Sequence, residues 1–326
     1  MVDDHEQGGL FPLLPPRGPI PPKVKRPTHP VWSESKARFI ERYLYYFVQV
    51  TKHGTYIDAF AGPQQPDKPD SWAAKLVLES EPRWFRHFFL YDIDADQAKR
   101  LSELRQGQLQ RSDPRRDIQV VQGDCNVEIP KLLGSRVIKE KEATFCLLDQ
   151  RTFECRWATL QALARYKTGN KIELFYFLAN SWFSRALSGI REGGGTKTVK
   201  QWWGRDDWKS LATKDSRQRV DLMVDRFRSE LGYAFVNPWA IYGREDGGRI
   251  MYYMIHATDH PEAPKLMARA YERAVLPKEP VEQLALDFEL PSKLRTCASA
   301  STPRSNPRPY EVHVPDYRST AHVRRG

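Results

Sequence analysis

Tyr56-Ile-Asp-Ala-Phe-Ala-Gly-Pro-Gln64 decides how the rest of the chain is read. It begins as a buried strand, places Asp58 at the strand's end, and breaks into a turn at Gly62-Pro63. In open α/β sheets a nucleotide-type ligand lies in the crevice outside the carboxyl ends of the strands, where small residues let the backbone come close. An ordinary strand and turn would look the same in isolation. The flanking sequence has to decide between the two.

Working outward, three more apolar runs end in an acid: Arg86 to Asp92, Ile118 to Asp124, and Ala143 to Asp149. A fifth, Lys171 to Leu178, ends near Asn180. Helical stretches alternate with them: Trp72 to Glu79, Asp94 to Leu104, Val127 to Leu133 and Trp157 to Tyr166. Arg105 to Arg116 reads as a polar connection. Upstream, Ser33 offers an N-cap without a capping box. Phe39, Ile40, Tyr43, Leu44, Phe47 and Val48 form an amphipathic stripe that Gly54 closes.

Repeated strand–helix units imply right-handed crossovers and a parallel sheet covered on both faces. The pattern changes at 181–232, a helical stretch holding Gln201-Trp-Trp-Gly-Arg-Asp-Asp-Trp208 just after Gly193-Gly-Gly195, and an amphipathic helix from Arg217 to Leu231. Strand runs Ala234 to Tyr242 and Arg249 to Ala257 follow, joined by a hairpin link at 243–248, and Pro261 to Val275 is a last helix. Five strand–helix units and an antiparallel pair make seven strands. That predicts the α/β, doubly wound, Rossmann-like sheet of S-adenosylmethionine (SAM) methyltransferases, with a helical Trp-rich insertion.

Composition sets the outer bounds. At 40% hydrophobic and 28% charged residues the chain suits an ordinary globular core. There is no long apolar run and no signal-type start, so a cytoplasmic protein without a membrane segment is expected. Cys125, Cys146, Cys155 and Cys297 show neither CxxC spacing nor His-rich surroundings, which argues against a metal site. The net charge of +10 is concentrated at the end: residues 291–326 carry +5. Residues 1–31 hold eight prolines and read as an extended or disordered arm, 32–278 as the methyltransferase-like domain, and 279–326 as a flexible basic tail.

The strand-end acids are the candidate cofactor ligands. Asp58 would approach the amino group of the methionine moiety, with Phe60 and Gly62 in the loop beside it; its plainer role is to cap the turn. Asp92 offers two acceptor oxygens to a ribose diol, with Asp94 as an alternative two residues on whose plainer role is a helix cap. Asp124 would accept from the adenine amine, with Cys125 or Asn126 against the ring. Nearest the expected methyl group lies Asp149-Gln-Arg-Thr-Phe-Glu-Cys155. Methyl transfer needs in-line positioning and sometimes a base. Asp149 or Glu154 could be that base, and Arg151 could hold an anionic or carbonyl group. Cys155 as a nucleophile is disfavoured because no Pro-Cys motif is present. A metal-dependent nuclease built on Asp124, Asp149 and Glu154 is thinkable but lacks the Glu-x-Lys spacing. Trp202, Trp203 and Trp208 could stack on bases, but packing of a lid onto its own domain is the favoured reading. His256 and His260 around Asp259 are read as turn chemistry.

Four strings together carry a family resemblance: residues 56–64, Leu147-Leu-Asp-Gln-Arg-Thr-Phe-Glu-Cys155, Trp202-Trp-Gly-Arg-Asp-Asp-Trp208 and Met254-Ile-His-Ala-Thr-Asp-His-Pro261. From about Thr28 to Val275 the chain resembles the three-Cys-motif partner proteins of bacteria. The resemblance implies a methyltransferase-like fold using SAM, and a functional link to a radical-SAM-like protein bearing three clustered cysteines. The typical family pattern has a glycine where Gln64 stands, and Pro-Phe/Tyr-Gly where Gln150-Arg151 follow Asp149. The expected function is a SAM-dependent methyltransferase acting on nucleic acid or a nucleic-acid-linked substrate. The alternative is a silent binding partner on the same scaffold.

Overall fold

The computed structural model describes residues 31, 35–110, 113–180, 182–190, 195–244 and 247–275. The expected cap Ser33, the Gly193-Gly194 break, the middle of the 243–248 link, Cys297, the tail and all of the arm except Val31 lie outside them. Val31 is buried, and its carbonyl accepts the N–H of Tyr242.

The apolar runs form one seven-stranded sheet: β1 (Gly54–Asp58), β2 (Phe85–Asp92), β3 (Asp117–Gln122), β4 (Thr144–Leu148), β5 (Glu173–Ala179), β6 (Phe235–Arg244) and β7 (Gly247–Thr258). Their order is β3-β2-β1-β4-β5-β7-β6. The first five are parallel, β7 runs antiparallel to β5, and β6 antiparallel to β7. This is the doubly wound, Rossmann-like sheet with an antiparallel closing pair. The order reverses at β1, which pairs with β2 on one side and β4 on the other. Chains leaving those strands diverge there and open a crevice at the carboxyl rim.

Helices α1 (Lys36–Thr51), α2 (Ala73–Glu79) and α9 (Ala263–Arg273) pack together on one face. α4 (Cys125–Ser135), α5 (Trp157–Arg165), α7 (Thr196–Trp203) and α8 (Ser216–Ser229) lie on the other, with α3 (Ala95–Leu109) beside β3 and α6 (Phe183–Ser188) in the insertion. Every residue of the expected stripe on α1 is buried, but so are Lys36, Glu41, Arg42, Tyr45 and Tyr46. Flanked by α2 and α9 as well as the sheet, α1 is enclosed rather than amphipathic. Its end also differs from expectation. Lys52 takes the left-handed turn at φ 63°, and Gly54 already belongs to β1. α3 runs on through 105–109, read from sequence as a connection. Gln and Leu there are good helix formers, and Gly107 faces open space.

Aromatic rings join α1 to the sheet and to α9. Phe39 meets Phe175 at 5.4 Å, Trp239 at 6.2 Å and Tyr271 at 5.2 Å, all edge-on. Beneath them Glu173 accepts from Tyr43 and, at 3.1 Å, from Thr258, with His256 Nε2 2.8 Å from the carboxylate. None of the described helices is long and apolar enough to cross a membrane. Phe39→Ala is expected to cost about 3–5 kcal/mol of unfolding free energy in urea titration, as truncation of a fully buried ring does. A loss below about 1 kcal/mol would show that this aromatic layer is not the core.

Candidate functional site

The loop after β1 is fixed by its own polar groups. Asp58 Oδ1 accepts the Phe60 N–H at 3.1 Å and Oδ2 accepts the Tyr56 hydroxyl at 2.8 Å. The carboxyl is 1% exposed, so the turn-capping role is made, and the group faces inward. Burial pushes its pKa up to about 7; the bonds from Tyr56 and Phe60 oppose that, and the nearby Asp149 and Asp92 carboxylates add to it. Phe60 is half-buried against the core. The Trp72 indole donates to the Ala61 carbonyl at 2.6 Å and pins the far side of the loop.

Gly62 lies where only glycine fits. A Cβ there would come within 2.5 Å of both Asp92 Oδ2 and Gln97 Cβ. Its N–H donates to Asp92 Oδ2 at 3.0 Å, and Asp92 Oδ1 accepts from the Asp94 N–H at 3.0 Å. Each carboxylate oxygen has a second lone pair, so Asp92, half-buried at the rim, can still accept from a ligand. Asp94 caps α3 through the N–H groups of Asp96 and Gln97, as expected from sequence.

Asp124 lies two residues beyond the end of β3 and caps α4. Its Oδ1 accepts from the Asn126 backbone and side-chain amide, and its Oδ2 from Arg156 at 3.3 Å. Cys125 begins α4 with its thiol buried and pushed up to about 12 by desolvation. Asn126 ties the neighbouring loops together, donating to the Glu154 carbonyl and accepting from Arg156 N–H and the Thr159 hydroxyl.

The Asp149–Cys155 segment is built from backbone-directed side chains. Gln150 is buried, donating to the Phe177 carbonyl and accepting from the Cys155 N–H. Glu154 Oε2 accepts the N–H groups of Arg151 and Thr152, so this carboxylate holds the turn. Arg151 is exposed. Cys155 is fully buried, and desolvation holds its thiol well above the usual range, which leaves no thiolate to attack a substrate.

Asp149 is the exception in this segment. Its Oδ2 pairs with Lys36 Nζ at 2.5 Å and accepts from the Gln64 amide at 3.2 Å, while Oδ1 is buried without a hydrogen bond. Burial by itself would depress the Lys36 ammonium, but Asp149, Tyr252 and Asp58 hold it above its ordinary value. Lys36 has no local motif. The spacing 36, 40, 43, 47 puts it on the buried stripe of α1, and a lysine at such a position was the available signal. Glu173 with His256 and Tyr43 was missed too, because strand periodicity says nothing of which polar groups meet across a sheet.

The structure thus gathers Asp58, Asp92, Asp124 and Asp149 along one carboxyl rim, with Lys36 and Arg156 as the cations bonded to it. Among the described residues no three His, Cys, Asp or Glu side chains converge as metal ligands. A separate cleft of about 310 Å³ opens at the opposite edge, among Tyr43, Thr144, Glu173 and Thr258. Trp202 and Trp203 are core residues, their indoles donating to the Tyr176 hydroxyl and Asp207. His260 makes the turn chemistry expected there, its N–H donating to the Thr258 hydroxyl and its Nδ1 accepting the Glu262 N–H, while Asp259 ties the turn to Ala234 and Lys171 and His256 is buried in the sheet.

No family model matches the chain, and no curated protein matches it. Among solved structures it is similar to a DUF574 family protein from Streptomyces avermitilis, at 13% identity and a TM-score of 0.37, over 69% of this chain and 83% of that one. It is also similar to Trm1 from Pyrococcus horikoshii in complex with S-adenosyl-L-methionine, at 12% identity and a TM-score of 0.37. That alignment covers 76% of this chain and 62% of the other. Both likenesses are remote, and the chemistry of the rim rests on its own residues.

Proposed function

We propose that this chain is a SAM-dependent methyltransferase, with SAM lying across the switch point at β1. The observation that supports it best is the contact of Gly62 with Asp92, which brings backbone and carboxylate together at the crevice. Asp92 would take the ribose diol, and Asp124 with Cys125 would border the adenine. Asp58, with Phe60 beside it, would face the methionine ammonium while shaping the loop. The rim carries four acids against Lys36 and Arg156, which suits a ligand bearing a sulfonium and an ammonium. Asp149 Oδ1, buried and unbonded, is an acceptor for a donor hydrogen on the methyl acceptor, because leaving it empty costs about 1–3 kcal/mol. Arg151 and Glu154 would border the acceptor, Glu154 by holding the turn. The acceptor on this reading is nucleic acid or a nucleic-acid-linked substrate, and the family resemblance adds a three-cysteine, radical-SAM-like partner protein.

One observation favours a second reading. Gln64 and Lys36 already occupy Asp149 Oδ2, so the rim is partly filled by the chain itself. On that reading the scaffold binds partners and transfers nothing.

Calorimetry with S-adenosylhomocysteine separates the two. The wild type is expected to bind it, and Asp92→Ala to weaken binding tenfold or more, as loss of a charged hydrogen-bond acceptor does. No heat from the wild type at millimolar ligand would leave only the second reading.

The raised Asp58 pKa gives a pH signature. The empty protein keeps a proton on Asp58 that the unfolded chain releases near its ordinary 3.8. This group therefore lowers stability as pH rises from there toward about 7. A bound cation favours the carboxylate. SAM binding at pH 6 should release protons, seen as a dependence of the heat on buffer ionisation enthalpy, and the release should vanish by pH 8. Equal release at both pH values would remove Asp58 from the cation site.

A further inference from the structure

The Trp-rich insertion carries an open groove of about 1030 Å³ between α6, the start of α7 and the 3-10 segment Asp206–Thr213. Its floor is apolar: Leu187, Ile190, Trp208 and Ala212. Its walls carry Arg185, Lys197, Lys200 and Lys209, and no acid among the described residues lines it. All four cations are exposed. Lys200 meets Asp206, but both side chains are more than half open to solvent, a pairing a polyanion displaces at little cost. Trp208, unlike the buried Trp202 and Trp203, is only half-covered, with Lys209 Nζ 6.0 Å from its ring centre.

We propose that this groove is a binding site for single-stranded nucleic acid. An apolar floor with one accessible indole gives bases a surface to stack on, and the cationic walls track the phosphates. A duplex hides its base faces and has no use for such a floor. A purely anionic polymer has no use for the indole. The groove is also joined to the methyl-transfer rim. Phe153, in the loop after β4, packs on Phe183 of α6 at 5.5 Å and on Trp202 of α7 at 4.8 Å. The helices that wall the groove therefore pack on the loop that carries Asp149. The inference rests on the nucleic-acid reading of the acceptor but not on methyl transfer itself.

The test is fluorescence anisotropy of the full chain with labelled single-stranded DNA and RNA oligonucleotides, a duplex, and inorganic polyphosphate of matched charge, as a function of salt. With four phosphate contacts the slope of log K against log salt should be about −3 for single strands. Arg185→Gln/Lys197→Gln/Lys209→Gln should reduce its magnitude by about 2 and weaken binding at least tenfold. Trp208→Leu should weaken oligonucleotide binding about tenfold and leave polyphosphate binding unchanged. The DNA and RNA arms show which strand is preferred. Thermal melting checks that each variant folds, and S-adenosylhomocysteine binding is measured on the same samples. Oligonucleotide binding without nucleoside binding keeps this inference and removes the methyltransferase. Unchanged affinity and slope in the triple variant overturn it, as do tighter binding of the duplex and equal binding of polyphosphate.

Discussion

A lysine and an aspartate, both shielded from water, meet where the first helix crosses the end of the fourth strand. The Lys36–Asp149 contact brings together residues 113 positions apart, both less than a tenth exposed. Taking two charges out of water costs more than their attraction usually returns, so such a pair is a poor source of stability. What it supplies is position. Lys36 is the first residue of a helix enclosed by the sheet, α2 and α9, and its ammonium lies between Asp149 and the Tyr252 ring. Asp149 thereby has one oxygen engaged and the other buried and unbonded. Gln64 adds a second hold from the loop after β1. Two elements, α1 and the loop after β1, thus converge on the carboxylate of a third at the point where the sheet order reverses.

The same logic explains which parts could be read from the sequence. β1, β2, β4 and β5 are near-continuous apolar runs because both faces of the parallel sheet are covered, and that property is local. So are the glycine-bearing link and the alternation of strands with helices, which together specified the sheet. The limits appeared wherever a residue's environment depends on distant chain. The stripe of α1 was legible, but its complete enclosure was not, since α9 lies more than 200 residues away. Asp124 was read as a strand end and stands as a helix cap. A strand that stops at Gln122 and a helix that begins at Cys125 leave only the short Gly123-Asp124 turn between them, and either role uses the same residue type.

The site divides along the same line. Residue type placed acids at strand ends, and the rim has them. It did not show how heavily each is already used. Asp58, Asp92 and Asp124 each accept at least one backbone N–H, and Glu154 accepts two. The carboxylates of the rim are therefore held in place by bonds within the chain. That is the kind of preorganisation binding requires, because the groups need no reordering when the ligand arrives.

Gln150 shows how the loop after Asp149 is held together. Its amide joins the Phe177 carbonyl to the Cys155 N–H, spanning from β5 to the end of the loop. A proline at this position could make neither bond. The side chain is thus a cross-link, and Cys155 is buried beside it. With the thiol buried and Glu154 committed to the turn, Asp149 and the exposed Arg151 are the groups of this loop that the proposed methyl transfer would have to use. One carboxylate to receive a proton and one guanidinium to hold an anion would be enough for the proposed reaction, in which the attacking atom need only be aligned with a methyl group already activated by its positive sulfur.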